Sequence, residues 1–225
     1  PLGGTPTAWA PSMNFMPRPG LYFRQFENIM LFFDLPCDRF FMLSGSRAER
    51  FERFAAGQAL AQDIQALQAE GLISPVPGPP RPMRPPVPPA TQSLVDGQLQ
   101  PAAVRATIAS LRAQIAARHD LRRHDLPHVI AGLHSQGLAE ASADPDTCTG
   151  IAAAFIRAAR YLPATDQCLA RGIAMKRLLF ARGCPSKLVF GVTMPFAAHC
   201  WVQVGETVLT DPLDIILHYQ PIFAV

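Results

Sequence analysis

Nine prolines fall within the fifteen residues from 75 to 89, and this segment most constrains how the chain can fold. Proline lacks a backbone N–H and has a fixed φ angle, so such a stretch forms neither a helix interior nor a central strand. On each side of it, apolar residues recur at helix or strand spacing. We therefore interpret residues 75–95 as a semi-rigid linker between two domains, in preference to a proline-rich ligand for another domain.

The composition excludes several classes of protein. With 225 residues, 49% of them hydrophobic, the chain can build one or two globular domains. A charged fraction of 16% and a net charge of +3 give no basis for binding nucleic acid or a membrane surface. No apolar run approaches the roughly 18 residues of a membrane-spanning helix, and no secretory signal is visible. Five irregularly spaced cysteines fit the reducing cytoplasm better than a disulfide framework.

The first domain is expected over residues 20–74. Residues 1–19 should be a disordered tail or a cloning remnant, with a native start at Met13 or Met16. Three short apolar runs between residues 21 and 43, rich in Phe, predict a small antiparallel meander. Two helices should follow, over residues 44–56 and 58–70.

The second domain, residues 96–225, begins with helix patterns and ends with strand patterns, which is typical of an α+β fold. Three predicted helices begin at Pro101, Leu126 and Thr147. A fourth should run from a cap at Thr165 or Asp166 to about Arg182. The predicted strands are Lys187–Val192, Ala197–Val204 and Thr207–Thr210.

The stretch from Cys168 to Asp211 contains the candidate chemistry. Cys168 falls in the first turn of the fourth helix, where free backbone N–H groups and the helix dipole favour a thiolate. His199 lies in one predicted strand, and Asp211 ends the next. A cysteine nucleophile needs an imidazole nearby, and a carboxylate can orient that imidazole. The pattern predicts a Cys-His-Asp triad, whereas the alternative is that Cys168 is a small buried hydrophobe.

The geometry of the last hairpin constrains this triad. A tight turn at Gly205-Glu206 would set Cys200 opposite Asp211, so His199 and Asp211 would lie on opposite faces of the sheet. A triad therefore requires an odd loop or a bulge. In that register one face carries His199, Trp201, Gln203, Leu209 and Asp211, and the other carries Cys200, Val202, Val204 and Val208. We place Trp201, on the triad face, among the substrate-binding residues.

This segment resembles the peptidase domain of lasso-peptide maturation B proteins, which have a transglutaminase-like or papain-like fold. The matching pieces are Cys168-Leu169-Ala170-Arg171, Leu188–Val192, Pro195–Val202 and Asp211. Gly172, Cys200 and Thr210 stand where Ser, Ala and Asn are common in that family. The resemblance implies a leader peptidase in which Cys168 is the nucleophile, His199 the general base and acid, and Asp211 the orienting group.

Residues 20–74 resemble the RiPP recognition element, a winged-helix-like domain that binds the leader of ribosomally made peptides. In that family an edge strand accepts the leader as an added strand. The resemblance therefore assigns leader binding to Asp38, Arg39, Phe40, Phe41, Met42 and Leu43. By composition alone, the Phe-rich runs are explained equally well as the core of a structural domain.

Together the resemblances imply two partners, the precursor peptide and an ATP-dependent cyclase that closes the macrolactam, and no cofactor. They also imply a leader whose penultimate residue is typically Thr. Two alternatives remain open. One is transglutaminase or deamidase acyl transfer on a Gln side chain, and the other is a non-catalytic peptide-binding chaperone. No nucleotide-binding glycine loop occurs, and Pro127 interrupts the zinc-like pair formed by His124 and His128, so no metal site is predicted.

Overall fold

The computed structural model describes residues 14–77, 85–98, 101–134, 145–162 and 167–225. The chain divides into two compact units: residues 1–34 with 41–84, and residues 35–40 with 85–225. Within the described residues, no helix combines the length and apolarity needed to cross a bilayer. The fold is α+β, with strands leading the first unit and helices preceding the sheet in the second, which confirms the predicted fold class.

The first unit contains two small sheets and two helices. Its elements, in chain order, are β1 (Asn14–Pro17), β2 (Leu21–Phe26), β3 (Ile29–Asp34), β4 (Arg39–Ser44, of which residues 41–44 belong to this unit), α1 (Gly45–Ala55), α2 (Ala61–Ala69) and β5 (Ile73–Val76). Strands β2, β3 and β4 form one sheet in that order, and β1 pairs antiparallel with β5 in the other. The predicted meander and both helices are therefore present, with the second helix beginning later than expected.

Residues 14–17 form strand β1, so the expectation that residues 1–19 lack regular structure is wrong for this part. Residues 1–13 lie outside the described range. Pro17 is compatible with this strand because it sits at the strand end in a two-stranded sheet. Its partner β5 includes Pro75, so regular structure also extends into the predicted linker.

Aromatic packing and an ion pair between the two helices hold the first unit together. The Phe32 ring stacks on Phe41 at a centroid distance of 4.9 Å and meets Phe51 edge-on at 4.7 Å. Arg53 of α1 donates two hydrogen bonds, of 2.9 and 2.7 Å, to the carboxylate of Asp63 in α2. These hydrogen bonds lower the pKa of Asp63 to about 2, so this link between the helices stays charged at neutral pH.

The second unit places helices against a five-stranded sheet. Its elements are β6 (Gln92–Ser93), α3 (Val104–Arg123), α4 (Leu126–His134), α5 (Pro145–Ala158), α6 (Cys168–Phe180), β7 (Lys187–Thr193), β8 (Ala197–Val204), β9 (Thr207–Val208), α7 (Leu213–Ile216) and β10 (Gln220–Ala224). The strand order is β10-β7-β8-β9-β6, and β6 pairs parallel to β9. Strand β6 lies within the segment predicted to be a linker. The linker expectation is therefore wrong for its last residues, which complete the sheet.

Helix α6 packs closely on the β7–β8 pair because Gly172 lacks a side chain. A Cβ at this position would lie 2.5 Å from Cδ1 of Leu188 and 3.9 Å from Cγ2 of Val202. Leu188 and Val202 are paired across the two strands, and both are fully buried. The face of β8 that carries Val202 therefore meets α6.

Gly191 lies against the indole ring of Trp201, and this contact yields a stability prediction. A Cβ at position 191 would lie 2.4 Å from Cζ3 of Trp201, whose side chain is only 1% exposed. Because a buried indole has no space to move into, we expect Gly191→Ala to lower the free energy of unfolding by about 1–3 kcal/mol. Urea denaturation measures this change.

Gly150→Ala is the matched control, since a Cβ on Gly150 in helix α5 meets nothing within 4 Å. It should leave stability unchanged or raise it slightly, because alanine has the higher helix propensity. A Gly191→Ala protein as stable as the parent would contradict this account of the packing.

Candidate active site

Cys168 is the first residue of α6, directly after the cap residue Gln167. This confirms that the thiol lies in the first helical turn, although the predicted cap residues Thr165 and Asp166 fall outside the described residues. The first backbone N–H groups of a helix have no partner within the helix. Cys168 therefore lies beside N–H groups and the positive end of a helix dipole, both of which stabilise a negative charge.

The structure brings Cys168, His199 and Asp211 together. His199 and Cys168 lie in the wall of the same cavity, close enough for each to shift the pKa of the other. The Nε2 atom of His199 lies 3.3 Å from Oδ1 of Asp211, an ion-pair contact whose angle falls outside that of an aligned hydrogen bond. The imidazole also lies against the ring of Tyr219, with the centroids 5.4 Å apart. The three side chains thus follow one another in the order thiol, imidazole and carboxylate that a catalytic triad requires.

The hairpin reaches this arrangement by a route that differs from the prediction. Val204 pairs with Thr207 and Gln203 with Val208, so the turn has two residues and, of the two expected alternatives, the odd loop is wrong. Val208 accordingly packs in one cluster with Trp201, although we had assigned these two residues to opposite faces.

The register changes only after Val208. The N–H of Leu209 still donates to the carbonyl of Val202, at 2.8 Å. The N–H of Val202, however, donates to the hydroxyl of Thr210 at 3.1 Å. The hydroxyl oxygen of Thr210 thus takes the place of the backbone carbonyl that would accept this hydrogen bond in a regular antiparallel pair. The backbone therefore leaves the sheet at this point. This departure allows Asp211 to approach His199.

Two further side chains hold the backbone next to Asp211. The hydroxyl of Ser93 in β6 donates to the carbonyl of Asp211 at 2.7 Å. Nη2 of Arg171 donates to the carbonyl of Thr210, also at 2.7 Å. Sequence reasoning assigned no role to Ser93, Arg171 or Thr210. Arg171 belongs to the Cys-Leu-Ala-Arg motif of the resemblance, and this was the only sequence feature that could have indicated a role for it. No sequence feature indicated a role for Ser93.

The surroundings of Cys168, His199 and Asp211 shift the pKa values of all three side chains. The Cys200 thiol beside Cys168 outweighs burial, and together with His199 and the backbone N–H of Cys200 it lowers the pKa of Cys168 to about 4. Burial disfavours protonation of His199, but its contacts with Asp211 and Cys168 prevail and raise its pKa to about 9. Burial also opposes ionisation of Asp211, yet its contacts with His199 and Thr210 and the charge on Arg171 lower the carboxyl pKa.

These shifts define a pH window. Above pH about 4 Cys168 is a thiolate, and below pH about 9 His199 is an imidazolium. A thiolate–imidazolium pair therefore exists across neutral pH. In this state Cys168 can attack a carbonyl carbon and His199 can donate a proton to a leaving group.

A cavity of about 120 Å³ adjoins the three residues. Its wall also contains Gln114 of α3, which is only 4% exposed and was not singled out from the sequence. Trp201 does not belong to this wall. It is buried beneath the sheet, and its Nε1 donates to Oε1 of Gln203 at 3.0 Å. The expectation that Trp201 contacts substrate is therefore wrong, because Val87, Val208 and Ile216 pack over the part of the β8 face on which its side chain lies.

Strand β4 contains five of the six residues predicted to bind a leader and lies at one edge of its sheet. Asp38 precedes the strand with a positive φ of 47°. Phe41 stacks in the core and Leu43 is 3% exposed, so these two side chains face inward. Met42 is 49% exposed and belongs to the outward face. Leader binding by this strand stays a prediction.

The histidines that prompted the metal hypothesis form a different arrangement. The rings of His124 and His128 stack, with centroids 4.7 Å apart and an interplanar angle of 16°. Within the part of the chain that the structure describes, no three His, Cys, Asp or Glu side chains are grouped to hold a metal ion.

Comparison with known proteins adds a family to this geometry. The Escherichia coli protein described as microcin J25-processing protein McjB is 47% identical over 47 residues, a match that covers 20% of this chain and 23% of that protein. No solved structure matches the chain. The family model of the transglutaminase-like superfamily matches residues 105–224. Because this match covers more than half of the chain and includes all three candidate residues, the chain belongs to the transglutaminase-like superfamily.

Proposed function

We propose that this protein is a cysteine endopeptidase that removes the leader from a ribosomally synthesised lasso-peptide precursor. The observation that carries the proposal is the grouping of Cys168, His199 and Asp211 at the start of a helix. The similarity to a microcin-processing protein supports a peptide substrate, although the match spans less than a quarter of that relative.

The proposed reaction begins with attack by the Cys168 thiolate on the carbonyl carbon of the scissile peptide bond. The carbonyl oxygen becomes an oxyanion, which the N–H groups of the first turn of α6 can stabilise. The protonated His199 gives its proton to the leaving amine as the C–N bond breaks. The first product departs, and the acyl group remains on Cys168 as a thioester.

Hydrolysis of the thioester completes the cycle. Neutral His199 takes a proton from water as the water oxygen attacks the thioester carbonyl. The C–S bond then breaks, which releases the carboxylic acid and restores the thiolate–imidazolium pair. Asp211 holds the imidazole in position and stabilises its charge during both steps.

The family match also favours a second candidate, acyl transfer or deamidation at a Gln side chain, because the same thioester serves both reactions. Mass spectrometry of a candidate precursor peptide separates them. Hydrolysis divides the peptide into two fragments, deamidation adds about 1 Da, and crosslinking joins two chains. An unchanged peptide beside a rapidly alkylated Cys168 would count against both candidates.

We assign leader binding to the first unit and suggest β4 as the strand on which the leader pairs. Because β4 lies at the sheet edge, an extended peptide can add to it without disturbing the core residues Phe41 and Leu43. In this proposal an ATP-dependent macrolactam cyclase acts on the same precursor in the cytoplasm.

The two units should separate in function. A fragment of residues 1–84 should bind the leader peptide without cleaving it. A fragment of residues 85–225 should keep a reactive Cys168 but cleave the precursor about tenfold or more slowly at low peptide concentration, since it loses the effective concentration that tethering provides. Isothermal titration and a cleavage time course measure the two effects. Equal cleavage by residues 85–225 and the full chain would contradict a recognition role for the first unit.

A further inference from the structure

We propose that Cys200 is a positioning residue for the nucleophile: its buried thiol lies on the face of β8 that meets α6, lines the same cavity as Cys168, and donates a hydrogen bond to the sulfur of Cys168. This inference rests on the proposed role of Cys168. It concerns a position where the resembling peptidases commonly have Ala, which has no side-chain donor.

The direction of the Cys200 side chain follows from the packing of α6. Val202 faces this helix, since its Cγ2 lies 3.9 Å from the position of a Cβ on Gly172. Side chains two residues apart on a strand share a face. Cys200 therefore also points toward α6.

Similar distances along helix α6 and along strand β8 bring the two thiols together. Cys168 lies four residues before Gly172, which is about 6 Å along the same helix face. Cys200 lies two residues before Val202, about 7 Å along the strand. Both cysteines line the same cavity, so the two steps run in the same direction. The thiol and the backbone N–H of Cys200 are thereby placed beside Cys168, where they can donate to its sulfur.

The two thiols are not equivalent. Cys168 is half-buried at a helix start, whereas Cys200 is 4% exposed within a strand. The hydrogen bond to Cys168, burial, and the negative charges of Cys168 and Asp211 all raise the pKa of Cys200 well above its ordinary value. The negative charge therefore resides on Cys168, and Cys200 keeps its proton as the donor.

Thiol alkylation on the full-length protein tests this role without any peptide substrate. The rate at which iodoacetamide labels Cys168 is followed from about pH 3 to pH 8, with mass spectrometry identifying the labelled residue. The parent rate should rise through a midpoint near pH 4 and then level off. Cys200→Ala should move this midpoint upward by about one pH unit, which corresponds to about a tenfold lower rate below the midpoint.

Two comparisons separate donation from packing. Cys200→Ser keeps a donor and should shift the midpoint by less than half as much as Cys200→Ala. Cys184→Ala removes a thiol that is equally buried but lies outside the cavity wall, and should leave the profile unchanged. Cys200→Val fills the same space without a hydrogen-bond donor, and it replaces Cys200→Ala if that variant reduces the folded fraction. The midpoint should then move upward by the same amount.

A Cys200→Ala profile that superimposes on the parent profile would overturn the inference, as would an equal shift in Cys200→Ser. Either result would leave the peptidase proposal standing. Conversely, full cleavage by Cys168→Ala would remove the proposed nucleophile whatever the alkylation profiles show, so the two failures can be told apart.

Discussion

Cys168→Ala should abolish precursor cleavage, with a loss of about 10⁴-fold or more in the single-turnover rate. The change removes the only atom that forms the thioester, and losing an activated nucleophile typically costs several orders of magnitude. The fold should persist, because one sulfur atom at a half-buried position is lost. Mass spectrometry of the peptide measures the rate, and circular dichroism checks the fold.

The other cysteines provide the controls for this experiment. Cys37 is exposed, and Cys37→Ala should cleave at the parent rate. In the parent protein, iodoacetamide should label Cys168 first among the five cysteines near neutral pH, because its pKa of about 4 makes it a thiolate there. Faster labelling of Cys37 or Cys148, combined with full cleavage by Cys168→Ala, would show that the nucleophile has been assigned wrongly.

Asp211→Asn should reduce the cleavage rate by roughly tenfold or more with little change in stability, because the side chain keeps its size and loses its charge. Without the carboxylate, the pKa of His199 falls from about 9, so the alkaline limit of the thiolate–imidazolium pair moves toward neutral pH. The cleavage rate near pH 8 should therefore decrease more than the rate near pH 6. The pH profile of single-turnover cleavage measures both effects.

Asp214→Asn is the matched control, three residues further along the chain. Asp214 is exposed, and its Oδ1 accepts from the N–H of Ile215 at 2.8 Å at the start of α7. Its replacement should leave the rate and its pH profile close to those of the parent. If Asp214→Asn is the damaging change and Asp211→Asn is silent, the triad as described is wrong.

The sequence predicted the elements of the site well because each has a strong local signal. Helix α6 has apolar residues at helical spacing and an end marked by Gly183, and the alternation in β7 and β8 is regular. Those signals set the predicted strand Ala197–Val204 at its observed limits. They also set Cys168 in the first turn of the helix.

The route of the chain to Asp211 could not be predicted in the same way. The residues from Thr207 to Thr210 have the pattern of a continuous strand, yet the ladder ends at Val208. The cause is the hydroxyl of Thr210, which takes the N–H of Val202 that a backbone carbonyl would have accepted. Threonine is common in strands, so the local pattern does not show whether its hydroxyl will accept a hydrogen bond from the backbone of the neighbouring strand. Trp201 was placed at the substrate site for another reason: it lies on the same face of β8 as His199, but Val87, Val208 and Ile216 cover that part of the face.

Ser93 was missed for a different reason. It lies in a two-residue parallel strand just after the proline-rich segment, and two residues are too few to show alternation. Its partner in sequence is more than a hundred residues away, so only the folded sheet reveals the contact with the Asp211 carbonyl.

The contact made by Ser93 decides where the chain can be divided when a chimeric protein is made from its peptidase unit. A chimera that joins the peptidase unit to a different recognition domain, spliced at residue 95, would lose β6 from the sheet edge and Ser93 from the backbone of Asp211. It would also lose Val87, which packs in the cluster around Trp201. A splice before Pro85 keeps all three, so the transferable module starts inside the proline-rich segment.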